Sequence, residues 1–162
     1  MKSITFLFVA TLAIAGSAYA QSDTSATTAA QGTYPPGTSF NGVSINALQI
    51  ATGTLIAYAG GAEGHLAISL IGPSILGAPP QTIAIEADAS SGSRPVANVV
   101  TISGTCSVDM GTGLPPLTGV PFVATITTDD QHLGTVGLVI GATTLPAATI
   151  GDGSMSIDAL TQ

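Results

Sequence analysis

The chain has no tryptophan, a single cysteine and only two residues of lysine or arginine, and each scarcity excludes something. With Cys106 alone, no intramolecular disulfide can form, so packing must hold the fold. With Lys2 and Arg94 the only strong cations, there is no basic patch to release counterions from nucleic acid or to hold an anionic lipid surface. Aromatic residues make up 4% of the chain, a thin supply of ring faces for stacking on sugars. Charged residues make up 7%, against about 25% in ordinary soluble domains. The nine carboxylates leave a formal net charge of −7.

The first twenty residues carry the clearest pattern. Lys2 precedes an apolar run over residues 4–15, and Ala18 and Ala20 place small side chains at −3 and −1 before Gln21. That is the layout of a cleaved secretory signal, residues 1–20, and the apolar run is shorter than the roughly 20 residues a spanning helix needs. No second apolar segment reaches spanning length. The expected destination is extracellular or periplasmic.

Residues 21–38 are rich in Ser, Thr and Ala and end in Tyr34-Pro35-Pro36-Gly37. Lacking large apolar side chains before Tyr34, they are expected to form a flexible leader, with residues 39–162 as one folded domain. That domain is written in short runs separated by Gly, Pro, Ser and Asp. Residues 47–59 and 65–71 flank a glycine-rich hairpin loop at 60–64. Residues 82–88 alternate Ile83, Ile85 and Ala87 with Thr82, Ala84, Glu86 and Asp88. The longest pattern, 96–109, puts Val100, Ile102, Cys106 and Val108 on one face and Thr101, Ser103, Thr105 and Ser107 on the other. Residues 90–93 and 151–153 read as turns, 129–132 as a polar loop, and Gly141-Ala142 as a two-residue hairpin. Residues 45–50 could instead form a short turn of helix. The expected fold is all-β, a single-domain antiparallel β-sandwich or partly open barrel of about eight strands.

Candidate chemistry is sparse. Glu63 and His65 fall in one expected loop, and Asp129, Asp130 and His132 in another. If the loops met, two imidazoles and a carboxylate would make a zinc site, although neither histidine sits in a recognised ligand spacing. Exposed loop residues are the plainer reading, and no metal or other cofactor is expected. There is no Gly-x-Ser-x-Gly elbow for a serine hydrolase. Glu86 and Asp88 share one strand face instead of flanking a cleft, which argues against a glycosidase pair. Cys106 reads as an inert core thiol, with pairing between chains as the alternative.

Residues 99–157 broadly resemble small secreted bacterial β-domains, without a motif that implies an activity. The missing cysteine pair separates the chain from chaperone-assembled pilins. The expectation is a secreted, non-catalytic surface or matrix component that self-associates through its low-charge strand faces. A soluble module binding carbohydrate or protein through its end loops is the alternative, and a metal-dependent hydrolase using the same loops comes third.

Overall fold

A computed structural model describes residues 23–56, 60–74 and 79–160. Eleven strands run through them: β1 Thr24–Thr33, β2 Ser39–Phe40, β3 Val43–Ser44, β4 Ala47–Ile56, β5 Gly61–Ile71, β6 Thr82–Val96, β7 Val99–Asp109, β8 Leu117–Thr128, β9 Gly134–Ile140, β10 Thr143–Thr144 and β11 Ala148–Ala159. Eight of them form one antiparallel ring in the order β9-β11-β1-β4-β5-β6-β7-β8, closed by the pairing of β8 with β9. The all-β expectation of about eight antiparallel strands is met, and the sheet closes into a barrel. Closure removes most of the unpaired strand edges that a sandwich would expose.

The period of two divides each strand between interior and exterior. On β5, β6 and β7 the inward residues Leu66, Ile68 and Leu70, Ile83, Ile85 and Ala87, and Val100, Ile102, Cys106 and Val108 are all buried. Phe122, Ala124 and Ile126 of β8 and Val136, Leu138 and Ile140 of β9 complete that side of the core. The outward positions hold mostly Thr, Ser, Ala and Gln, together with the charged Glu63, His65, Glu86 and Asp88. This is the reverse of a lipid-facing barrel, whose outside is apolar and whose lumen is polar.

Residues 21–38 are not the flexible leader expected from their composition. Their middle is β1, paired along its whole length with β4 on one side and β11 on the other. Thr24, Ala26, Thr28, Ala30 and Gly32 face inward and are buried. Small inward side chains suffice because the neighbouring walls supply the bulk. The folded unit therefore begins by Asp23 and not at residue 39. The expected signal segment, with Ala18, Ala20 and Gln21, lies outside the described residues.

Several glycine- and serine-rich stretches expected as turns are strand. Ser90-Ser91-Gly92-Ser93 runs inside β6, Gly151-Asp152-Gly153 inside β11, and Gly61 to Gly64 begins β5. These are places where the sheet curves. The β5–β6 register shifts between Gly61 and Gly64, and the β6–β7 register between Ala89 and Ser91. A Cβ on Gly64 or on Gly104 would collide with a carbonyl oxygen of the adjoining strand, Gly53 and Asp88 respectively. Glycine at such points lets strands bend tightly enough to close. Along the inner wall Ala26, Thr54, Gly64, Ala89 and Gly104 lie side by side on five adjacent strands, and Phe122 follows on the sixth.

The antiparallel order gives the barrel two distinct ends. Asp23, the end of β4 and start of β5, the β6–β7 and β8–β9 connections and Leu160 lie at one, which we call the terminal end; residues 34–46, 72–74, 79–81, 110–116 and 141–147 lie at the far end. There β2 and β3 form a hairpin across Asn41-Gly42, both with positive φ (48° and 82°), as a tight hairpin turn requires. Tyr34, Phe40 and Ile45 of this connection are buried in the core, and the expected turn of helix at 45–50 is the entry into β4. The long pattern at 96–109 is likewise split by a two-residue turn, Ala97-Asn98, held by Arg94, whose Nε and Nη2 donate to the Ala97 carbonyl at 3.0 and 2.6 Å.

Candidate functional site

The two sequence-predicted clusters sit towards the same end of the barrel but on different walls. Glu63 and His65 belong to β5, not to a loop, and His132 to the β8–β9 connection. In the ring of eight, β5 stands four places from β9, so the walls carrying the two histidines are opposed. Among the described residues no group of three or more His, Cys, Asp or Glu is placed to hold a metal ion. The hypothetical site of two imidazoles and a carboxylate is not assembled.

Each cluster has its own local structure. His65 lies directly across from Asp88 on β6 and from Gly53 on β4, and Glu86 is the next outward residue of β6. With no side chain on Gly53, the imidazole engages β6: Nδ1 lies 3.0 Å from Asp88 Oδ1 and Nε2 lies 2.7 Å from Glu86 Oε2. Both contacts are satisfied at once only when both ring nitrogens carry protons. The hydrogen bond to Asp88, then that to Glu86, raise the His65 pKa above its ordinary value. The side chains are half or more exposed, so solvent screens the attraction. This is a cross-strand ion cluster on an outer wall, a stitch between β5 and β6.

The loop at the terminal end is built around Asp129. Its Oδ1 accepts hydrogen bonds from the backbone N–H of Gln131 (2.8 Å) and of Leu133 (2.9 Å). That carboxylate is committed to shaping its own turn. His132 takes a left-handed backbone conformation (φ 60°), and its carbonyl accepts the Met155 N–H at 2.8 Å. Because β9 pairs with β11 only at residues 148–150, this contact ties the β8–β9 loop to β11 beyond the last ladder pair. His132 therefore helps to close the barrel seam, and Asp130 is left exposed beside it.

Other sequence candidates are accounted for by burial. Cys106 faces the interior, and burial pushes its thiol pKa up, the opposite of a reactive thiolate. Tyr34 is buried in the core with its hydroxyl unpartnered among the described residues, and so offers no exposed ring to a sugar. Tyr58 lies outside the described residues.

Sequence reasoning missed the partnership of Glu86 and Asp88 with His65. The signal was present as two alternating pairs, Glu63/His65 and Glu86/Asp88, on consecutive strands. Residues 111–119, expected from their glycines and Pro115-Pro116 to be a loop, carry Leu114 and Leu117, the most exposed large apolar side chains described, and β8 already begins at Leu117. No family model matches the chain, no curated protein matches it, and no solved structure matches it.

Proposed function

We propose that the protein is an exported, non-catalytic barrel that acts as a surface or matrix component and associates with further copies of itself. The reading rests chiefly on the outer wall. Ala29, Ala51 and Ala67 stand side by side across β1, β4 and β5, with Gln31, Gln49 and Ser69 in the next outward row. A shallow trough of about 420 Å³ runs over these two rows. Asp152 is the one charged side chain lining it, so the wall carries little charge to keep neighbours apart, and small side chains permit close approach.

Closure of the ring limits how copies can meet. Eight strands with partners on both sides leave little edge for backbone pairing between subunits, and residues 24–33 are already paired on both sides as β1. Association must therefore proceed through faces and loops. Reading the end loops as a ligand pocket draws less support, because Asp129 is spent on its own turn and the two histidine-bearing walls are opposed.

Fractionation of the producing cells, with light scattering on the purified protein over a concentration series, tests the proposal. Recovery from the exterior as concentration-dependent oligomers is the expected result. A strictly monomeric protein at high concentration, or retention in the cytoplasm, overturns it.

A further inference from the structure

We infer that Asn41 is a site of spontaneous covalent modification, its side-chain nitrogen being lost as ammonia through attack by the Gly42 backbone nitrogen. The inference goes beyond the self-association proposed above and does not rest on it.

The far-end hairpin brings the reacting groups together. Asn41 alone among the asparagines is followed by glycine; Ala47 follows Asn46, and the β-branched Val99 follows Asn98. Glycine has no side chain, so its nitrogen is the least shielded of any residue. Asn41 and Gly42 are both exposed, and no atom lies within 4 Å of the position a Gly42 Cβ would take. Asn41 Oδ1 accepts the Thr143 hydroxyl at 3.3 Å, and among the described residues Nδ2 has no acceptor. The other asparagines are held differently. Asn98 Nδ2 donates to the Thr128 carbonyl at 3.0 Å, and the Asn46 backbone is pinned at both its N–H and its carbonyl.

The chemistry needs only water. The Gly42 nitrogen gives its proton to solvent and bonds to Asn41 Cγ, closing a five-membered ring. Negative charge gathers on Oδ1 in that step, where the Thr143 hydroxyl donates. The Cγ–Nδ2 bond then breaks and ammonia leaves. Water opens the resulting succinimide at either carbonyl, giving aspartate or isoaspartate at position 41. The left-handed turn must open before the nitrogen reaches Cγ. β2 and β3 pair only at Ser39–Ser44 and Phe40–Val43, apart from the ring of eight, so the tip opens without breaking a barrel ladder.

The product differs from the parent in charge and in backbone. No connection at the far end carries a charged side chain, so the new carboxylate is the first among them. Isoaspartate also lengthens the main chain by a carbon, which a two-residue turn does not accommodate. The hairpin and its contact with β10 therefore change with the age of the molecule.

Incubation of the purified folded protein at mildly alkaline pH tests this, followed by ammonia assay, isoelectric focusing and peptide mapping. Ammonia release should accompany a single-charge acidic shift that maps to Asn41, with Asn46 and Asn98 intact. Asn41→Asp marks the aspartate product in the same maps and leaves isoaspartate as the second species. Gly42→Ala, on a hairpin outside the barrel, should suppress the reaction both in the folded protein and in urea, because its methyl shields the nitrogen in either state. Thr143→Val should slow conversion in the folded protein and leave the rate in urea unchanged; a merely structural loss would loosen the turn and speed it. Circular dichroism and melting confirm that the variants fold. The inference fails if the folded protein keeps Asn41 while the urea-unfolded chain loses it, or if the acidic shift maps elsewhere. Equal or faster conversion in Thr143→Val removes that hydroxyl from the reaction.

Discussion

Gly104 lies directly across from Phe122 in the β7–β8 ladder, and a Cβ on it would stand 3.1 Å from the edge of the Phe122 ring while colliding with the Asp88 carbonyl. The strand bends at this point, and the interior is filled by the ring that the missing side chain admits. Gly104→Ala must displace β6 backbone, which no rotamer change can avoid. We expect a loss of about 3 kcal/mol in chemical denaturation, with the barrel otherwise retained. Gly53→Ala, on the same type of strand but with open space about its Cβ position, is the control and should lie within about 0.5 kcal/mol of wild type.

The N-terminal boundary is tested by truncation. A chain starting at residue 39 lacks β1, leaving β4 and β11 each with an unpaired edge and the inward faces of both walls open to water. It should show no cooperative melt and should aggregate, whereas a chain starting at residue 21 should melt in one cooperative transition. A well-folded monomer from residue 39 would refute the role of β1 as an integral wall of the barrel.

His65 supplies a pH dependence whose sign is fixed. Its folded-state pKa is raised above 6.5 by Asp88 first and Glu86 second, so its contribution is complete below about pH 6.5 and is lost as pH climbs through the raised value. The melting temperature of the wild type should exceed that of His65→Gln at pH 6, and the gap should narrow towards alkaline pH. Added salt should shrink it as well, because the cluster is exposed. A proton NMR titration of the imidazole reads the raised pKa directly.

Thr28 offers the opposite experiment. Its Oγ1 is buried in the barrel interior with no hydrogen-bond partner among the described residues. Replacing an unsatisfied hydroxyl by a methyl of similar shape removes a desolvation cost. Thr28→Val should stabilise the protein by about 1 kcal/mol, read as a raised denaturation midpoint at unchanged slope.

The legible parts of the fold are those where large apolar residues mark one face. Residues 82–88, 99–109 and 120–128 announce their inward sides through Ile, Val, Phe and Cys, and all of these except the half-buried Val120 are buried as the alternation demands. β1 is illegible by the same criterion: Thr24, Ala26, Thr28, Ala30 and Gly32 have too little side chain to signal a core, and they are ordered by what lies on either side. Gly151-Asp152-Gly153 and the Ser-Gly run at 90–93 mislead because glycine marks both turns and the curvature of a closing sheet. At the candidate sites, residue types were visible and register was not. Nothing in the spacing of Glu63, His65, Glu86 and Asp88 states which carboxylate stands opposite the imidazole, and nothing in Asp129-Asp130-Gln131-His132 states that the first carboxylate turns back on its own loop.

The Leu160 N–H donates to the Asp23 carbonyl at 2.7 Å, so the two limits of the described chain touch. A ring of strands whose ends meet has no topologically privileged starting point. A short linker across that junction, with new termini cut into residues 111–116, would produce a circular permutant that keeps every barrel ladder while dividing the loop that carries Leu114 in two.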